Sequence, residues 1–518
     1  MVAAPHALAA QAGAAMLEGG GNAADAILSV AATLSVVYPH MTGIGGDAFF
    51  LYYDARSGRV YAYNGSGAAA NLATQEHYAA LGHTHIPERG PHAALTVPGT
   101  VDAWFALHER FGSRSMEQIL APAVSYARQG VPAAPSVARA CRELAAALSA
   151  DPPATQLVLR DGSAGRALLE NPRLADALEK IGREGRRWFY EAEGAQAIGK
   201  HAERIGSPLR AEDLAAHRGL YCEPAGGQFF GYESLTTPPN SQGLALLVAQ
   251  QTYQAYAREK DLPDGSPAQV HAAAECVRLA VADRDAVVTD PMLGEEWRRV
   301  LSEDNALAHA RRIRPDETSG PKSVRQDSGG TCYFACVDAH GNCVSFIQSL
   351  FHHFGAAVLV PELGMFLNNR GISFDLSGQG VRQLVPRRRP FHTLMPCMLV
   401  RDGKPALVYG SMGGDAQPQI GLQISTRIVV DREDPQQAIE RPRWRWTRDA
   451  PDKTPRLYVE ARIGQACIAG LRTRGHDVEV LGDWEESMGH ASAIWIDRAE
   501  GVLTGGCDPR SDGAAVGI

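Results

Sequence analysis

Apolar positions recur at helical spacing through the first third of the chain and at strand spacing near its two ends. Residues 22–37, "NAADAILSVAATLSVV", are apolar on nearly every side and too long for one strand, so they predict a buried helix. Further helices are predicted over 5–18, 100–110 and 115–129, separated by Gly/Pro turns. "DAFFLYYDARSGRVYAYNGSG" predicts a hairpin: an apolar run, an Arg-Ser-Gly turn, then alternating Val60, Ala62 and Asn64. Residues 101–320 read as mostly helical, with breaks at "TTPPNSQG" and "DLPDGSP". A second hairpin is predicted in "TCYFACVDAHGNCVSFIQSL", where two β-rich runs flank "DAHGN". Beyond it, strands are predicted at 355–360, 394–401, 405–412, 456–460, 477–481 and 491–497, with helices near 417–429 and 463–474. Neither an internal repeat nor a dividing linker is visible. The pattern is that of one α/β unit whose sheet uses both ends of the chain.

Composition narrows this further. The chain has 518 residues, 45% apolar and 21% charged, enough to bury a large core. A net charge of -8 with no block of like charges argues against a nucleic-acid partner and leaves a small molecule as the expected substrate. The longest apolar stretch is short for a membrane span and carries Asp25. The opening residues lack a basic segment before their apolar ones, so cytoplasm is the expected compartment. Nine cysteines, odd in number and without a C-x-x-C pair, suit reduced thiols in a core. No H-E-x-x-H or comparable ligand spacing supports a metal-dependent hydrolase, and no cofactor is expected.

The chemistry worth weighing sits in "SGGTCYFACVDAHGNCVSF", residues 328–346, where Thr331 follows Gly329 and Gly330 at the start of a strand. One reading is a glycine turn entering a strand. The other is autoproteolysis: the hydroxyl attacks the Gly330 carbonyl, and cleavage frees an α-amine on the same residue. That amine, with a reference pKa of about 7.7–8.0, can then serve as the base for its own hydroxyl. Both readings are open on these residues alone.

Seven segments in order resemble the γ-glutamyltransferase family of N-terminal-nucleophile hydrolases. They are "GGNAADAILSVAATLSVVYPHMTGIGGDAFFLYYD", "TVPGTVDAW", "PPNSQG", "GGTCYFACVDAHGNCVSF", "FLNNRGISF", "GSMGGDAQPQ" and "DPRSDGAA". The resemblance implies a four-layer αββα sandwich. It also implies cleavage between Gly330 and Thr331 into a heavy fragment, 1–330, and a light fragment, 331–518, that stay associated. A homodimer of such heterodimers is also compatible with it. Thr331 would be the nucleophile in both cleavage and turnover, and Ser349 a second hydroxyl orienting it, where the residue-level alternative is an ordinary strand-end serine. Gly413 and Gly414 would supply the oxyanion-binding N–H groups. Gly43, Gly45 and Gly46 read as a tight turn.

The chain departs from the transpeptidases of that family where they read a γ-glutamyl headgroup. Their carboxylate-binding arginine has no counterpart in "YNGSGAAA", Ser373 stands in place of an amine-binding aspartate, and Phe351 replaces a polar residue. Their paired serines correspond to His392 and Thr393. A zwitterion left without partners in a buried pocket loses several kcal/mol, so a smaller anionic amide is expected, as in the oxamate amidohydrolase branch. Arg370 either binds the substrate carboxylate through its planar fork or pairs with a neighbouring acid. His352 and His353 line the pocket or a surface loop, and Arg387, Arg388 and Arg389 read as a solvated charge run. A γ-glutamyltransferase or glutathione hydrolase, or an acylase, of the same family is the alternative, and a non-catalytic binder with the same fold is the second.

Overall fold

Two antiparallel sheets stacked face to face occupy the middle of the molecule. The computed structural model describes residues 1–160, 164–319, 330–447 and 454–518; the expectation for Gly329 lies outside them. The first sheet runs, edge to edge, Ala514–Val516, Val2–Ala4, Gly330–Val337, Cys343–Phe351, Asp47–Asp54, Arg59–Asn64 and Leu220–Cys222. The chain's two ends therefore pair with each other, Val2 opposite Val516 and Ala4 opposite Ala514. The second sheet runs Val502–Cys507, Ala491–Asp497, Lys404–Ser411, Cys397–Arg401, Tyr232–Thr236 and Ala225–Phe229.

Strand alternation assigns the faces. Phe49, Leu51, Tyr333, Ala335 and Ile347 point into the layer between the sheets, against Met398, Val408 and Ile494. Their neighbours Phe50, Phe334 and Phe346 point outward to Ala23–Val37 and the helices around it. On the far side, Phe229, Leu399 and Tyr409 pack under Gly243–Ala257, Pro267–Val287 and Gln417–Val429. The order of layers is helix, sheet, sheet, helix, the predicted αββα sandwich.

Ala23–Val37 is buried along its whole length, including the row of Asp25, Ser29 and Thr33 at four-residue spacing, which explains why it lacks a charged solvent face. Asp25 is tolerated because it completes a capping box with Asn22 and accepts from the Ser113 and Arg114 N–H groups. Among the described residues no helix is long and apolar enough to cross a membrane. All nine cysteines are free, and eight are buried.

Three expectations change. The span 101–320 contains Leu220–Cys222, Ala225–Phe229 and Tyr232–Thr236. These strands are short and diluted by Gly226 and Gly227, and Tyr232–Thr236 is held by Cys397–Arg401, a partner far away in sequence. The strand expected at 355–360 shrinks to Leu359–Val360, because Gly355 and Ala357 adopt φ of 57° and 56°. Arg456–Glu460 and Val478–Leu481 do form, but with Trp444–Thr447 they make a separate small sheet.

Candidate active site

Thr331 lies one residue into its strand and is fully buried in the intact chain. It stands directly opposite Ser349, and the ladder shifts register between Gly330 and Thr331, leaving Gly330 opposite Phe351. A bulge thus falls on the peptide bond proposed for cleavage. Ser349 Oγ donates to the Gly330 carbonyl at 2.5 Å. Its single proton is then used, so in the 2.9 Å contact between the two hydroxyls Thr331 Oγ1 is the donor. Phe351 N–H donates to the same Ser349 oxygen at 2.7 Å. One serine therefore holds the carbonyl, the hydroxyl and the returning backbone of the bulge. Phe351 adopts φ of 80°, a conformation that a bulky residue takes only under restraint.

Glycine at 330 follows from close approach. A Cβ there would stand 2.9 Å from the His40 carbonyl oxygen and 3.0 Å from that of His352. Gly330→Ala should displace the carbonyl from Ser349 and slow cleavage at least tenfold, on the order of a 1.4 kcal/mol rise in the barrier. A time course of precursor disappearance on a denaturing gel measures this, and wild-type kinetics would contradict it. Gly45 and Gly46 are required in the same way, by the Phe366 carbonyl at 1.9 Å and the Ser349 carbonyl at 2.2 Å from a built Cβ. The turn reading of these glycines therefore also explains how residues 43–46 pack under the Ser349 strand.

The "LNNRG" segment is a hub. Asn368 donates its backbone and side-chain N–H groups to the Gly45 carbonyl, both at 3.0 Å, and Asn369 accepts from His352 N–H at 3.1 Å. Arg370 is 1% exposed, lies with its guanidinium carbon 3.5 Å from the Phe351 ring centre, and donates to Thr393 Oγ1 at 3.2 Å. Phe351 is thus the shelf on which the guanidinium lies. Ser373 ends the same short helix, Arg370–Ser373, and is buried.

Gly413 and Gly414 adopt φ of 145° and 52° between the strand Lys404–Ser411 and the helix Gln417–Val429. Gln242 Nε2 donates to the Gly414 carbonyl at 2.7 Å and to that of Thr393 at 2.8 Å. Arg284, fully buried, donates to Gln242 Oε1 at 2.8 Å and to Asp415 Oδ1 at 2.7 Å. The "PPNSQG" segment is therefore the strut between the glycine pair and residues 392–393.

His392 is fully buried and meets Asp47 Oδ2 through Nε2 at 3.2 Å. Asp47 Oδ1 accepts from Gly67 N–H at 2.9 Å. Burial pushes the Asp47 carboxyl up to about 7, against the Gly67 N–H and Arg370, which favour its ionised form. Burial likewise drives the His392 imidazole well below its usual range, with Arg370 adding to the effect. Asp47 was not singled out from the sequence, although a carboxylate directly before the apolar run Ala48–Tyr53 was a visible signal.

Other expectations sort as follows. His352 is buried and contacts Glu88 Oε1 at 2.7 Å, while His353 is partly exposed beside His40. The arginine run is solvated at Arg387 and half-buried at Arg388 and Arg389, and it is also tethered: Arg389 donates to the Ser66 carbonyl at 3.1 Å and Arg387 to Asn71 at 2.7 Å, fastening the run to the "NGSG" side. "DPRSDGAA" is architectural, with Asp508 and Arg510 in a buried ion-pair cluster with Arg443 and Glu460. Distant residues also bring His271, Glu275 and His476 together. There His476 faces His271 Nδ1 at 2.7 Å, and Glu275 already accepts from Arg278, Thr318 and Ser319.

A sandwich of this kind, with a threonine hydroxyl at the head of an inner strand, defines the N-terminal-nucleophile hydrolase class. The chain belongs to the γ-glutamyltranspeptidase family, whose pattern it matches over residues 9–518, and it is an amide-cleaving enzyme. It is 41% identical to the glutathione hydrolase-like YwrD proenzyme of Bacillus subtilis, covering 100% of this chain and 98% of the relative. It is 38% identical to the oxamate amidohydrolase proenzyme of Klebsiella pneumoniae, again covering 100% and 98%. Among solved structures, the cephalosporin acylase of Bacillus halodurans superposes with a TM-score of 0.92 at 33% identity, over 99% of this chain and 94% of that one.

Proposed function

We propose that the protein is a self-processing N-terminal-threonine amidohydrolase acting on a short acid amide such as oxamate. In maturation, Thr331 Oγ1 attacks the Gly330 carbonyl carbon, the C–N bond breaks, and water hydrolyses the resulting ester. Gly330 becomes a carboxylate and Thr331 gains a free α-amine, while fragments 1–330 and 331–518 remain one folded unit. In turnover the amine takes the hydroxyl proton, Oγ1 attacks the substrate amide, and the oxyanion is held by the N–H groups of Gly413 and Gly414. Ammonia leaves with the proton, and water releases the acid. Nine free cysteines favour a reducing compartment, and we place the enzyme in the cytoplasm.

The observation that carries the substrate class is Arg370, a buried planar cation beside Phe351, Thr393 and Ser373. A short acid amide needs one anion partner, and Arg370 with Thr393 can supply it. A γ-glutamyl headgroup needs a second, opposite partner, and Ser373 and Phe351 offer no charge for its ammonium. The 38% relative named for oxamate supports this reading, while the 41% relative named as glutathione hydrolase-like supports a γ-glutamyl substrate.

Ammonia release from oxamate and other two- to four-carbon acid amides, set against a γ-glutamyl anilide, decides between them. A site lacking the groups for a polar headgroup loses up to roughly 10⁴–10⁵ in kcat/KM, so the acid amide is expected to win by at least about 10²-fold. Efficient γ-glutamyl cleavage with none of the acid amides would overturn the substrate assignment and leave the role of Thr331 standing.

A further inference from the structure

The row of side chains that begins at Thr331 continues past Ser349. Thr331 stands opposite Ser349 and Ser349 opposite Asp47, in register across three neighbouring strands, so the three side chains share one face of the sheet. Asp47 is 1% exposed and faces two donors, the Gly67 N–H at 2.9 Å and His392. His392 Nδ1 accepts from Leu394 N–H at 3.3 Å, so the ring proton is on Nε2 and is donated to Asp47 at 3.2 Å. Arg370 grips Thr393, the next residue. The two charged residues are also joined from behind, since Asn368 is bonded twice to the Gly45 carbonyl. Asp47 and Arg370 are thus buried opposite charges, each holding one of two adjacent residues, and the Arg370 cation favours the ionised Asp47 carboxylate.

We propose that Asp47 is a specificity-determining residue of this pocket, whose carboxylate offsets the Arg370 cation and couples the binding of a carboxylate substrate to the uptake of a proton. This rests on the acid-amide reading. The charged and titratable groups around Asp47 are Arg370, Arg389, His392 and Tyr190, to which maturation adds the Thr331 α-amine. Burial sets the Asp47 carboxyl near 7, with Arg370 and Arg389 acting to lower it. Below that pH the carboxyl is protonated and no longer offsets the Arg370 charge that an anion meets. Above it Asp47 is ionised and competes with the substrate for Arg370, so affinity for anions falls as pH rises. A bound anion, by the same linkage, raises the Asp47 pKa and draws in a proton.

Two measurements on the mature enzyme test this. Oxalate, which has no amide to cut, is titrated calorimetrically at pH 7.5 in two buffers of different ionisation heat. Wild type should take up a sizeable fraction of a proton per oxalate, and Asp47→Asn much less. In steady state, the KM for oxamate should rise about tenfold between pH 6 and 8.5 in wild type. It should be flatter and lower at pH 8.5 in the variant, while the KM of a neutral amide of similar length changes in neither. Asp47→Asn turns an amide N–H₂ toward the His392 donor, so Asp47→Ser, which can still accept from Gly67, serves as the second variant should the first not fold. Undiminished proton uptake in a folded variant assigns the proton to another group and overturns the proposal. A loss of kcat and thermal stability with an unchanged pH dependence of KM does the same and makes Asp47 purely a scaffold. Failure of wild type to hydrolyse oxamate while oxalate still binds with Asp47-dependent uptake refutes the substrate assignment alone.

Discussion

Thr331→Ala is expected to run as a single 55.5 kDa band and to release no ammonia from any amide. Wild type should resolve into two chains, the lighter starting Thr-Cys-Tyr-Phe and, at 188 of the 518 residues, close to 20 kDa. The variant removes the one oxygen, Oγ1, that lies in hydrogen-bond contact with Ser349 next to the Gly330 carbonyl. Without it neither the ester of maturation nor the acyl-enzyme of turnover can form, and removal of a catalytic nucleophile costs on the order of 10⁶ in kcat. Thr331→Ser keeps the oxygen and should still cleave. N-terminal sequencing of the light chain together with an ammonia assay checks both variants. Complete cleavage of Thr331→Ala would mean that another group attacks.

Ser349→Ala should accumulate precursor, and whatever matures should turn over about 10²–10³-fold more slowly, the scale for losing a group that positions or polarises the reacting atoms. Three bonds converge on Ser349 Oγ, to the Gly330 carbonyl, the Thr331 hydroxyl and the Phe351 N–H, and alanine leaves all three unmade in a buried site. A buried donor without a partner costs about 1–3 kcal/mol, so a lower melting temperature should accompany the kinetic loss. Ser349→Thr restores the hydroxyl and should recover most of both effects, which separates orientation from packing. Wild-type cleavage and turnover in a folded Ser349→Ala would return Ser349 to an ordinary strand residue.

The local patterns were legible where a segment's own residues decide its shape. The helices Ala23–Val37 and Gln417–Val429, the strand Ala491–Asp497 and both hairpins fall within a residue or two of their predicted spans. Tyr232–Thr236 was missed because five residues beside a glycine pair have too little pattern of their own, and their stability comes from Cys397–Arg401. The tethering of the arginine run was not legible because the oxygens that Arg387 and Arg389 bind, on Asn71 and Ser66, come from segments hundreds of positions away.

By itself, the sequence determined the family-like order of motifs, a hydroxyl behind two glycines at the head of a strand, the second hydroxyl eighteen residues later across a hairpin, the missing charge at Ser373 and the missing polar group at Phe351. Hairpin pairing is local, so the facing of Thr331 and Ser349 needed little beyond the turn at "DAHGN". The tertiary structure alone decided that Asp47 extends that row, that Phe351 underlies Arg370, that Gln242 and Arg284 brace the Gly413–Gly414 turn, and that His392 faces an acid. The physical reason is that strand alternation settles which face a side chain takes, whereas its neighbours on that face depend on sheet order, a property of the whole chain.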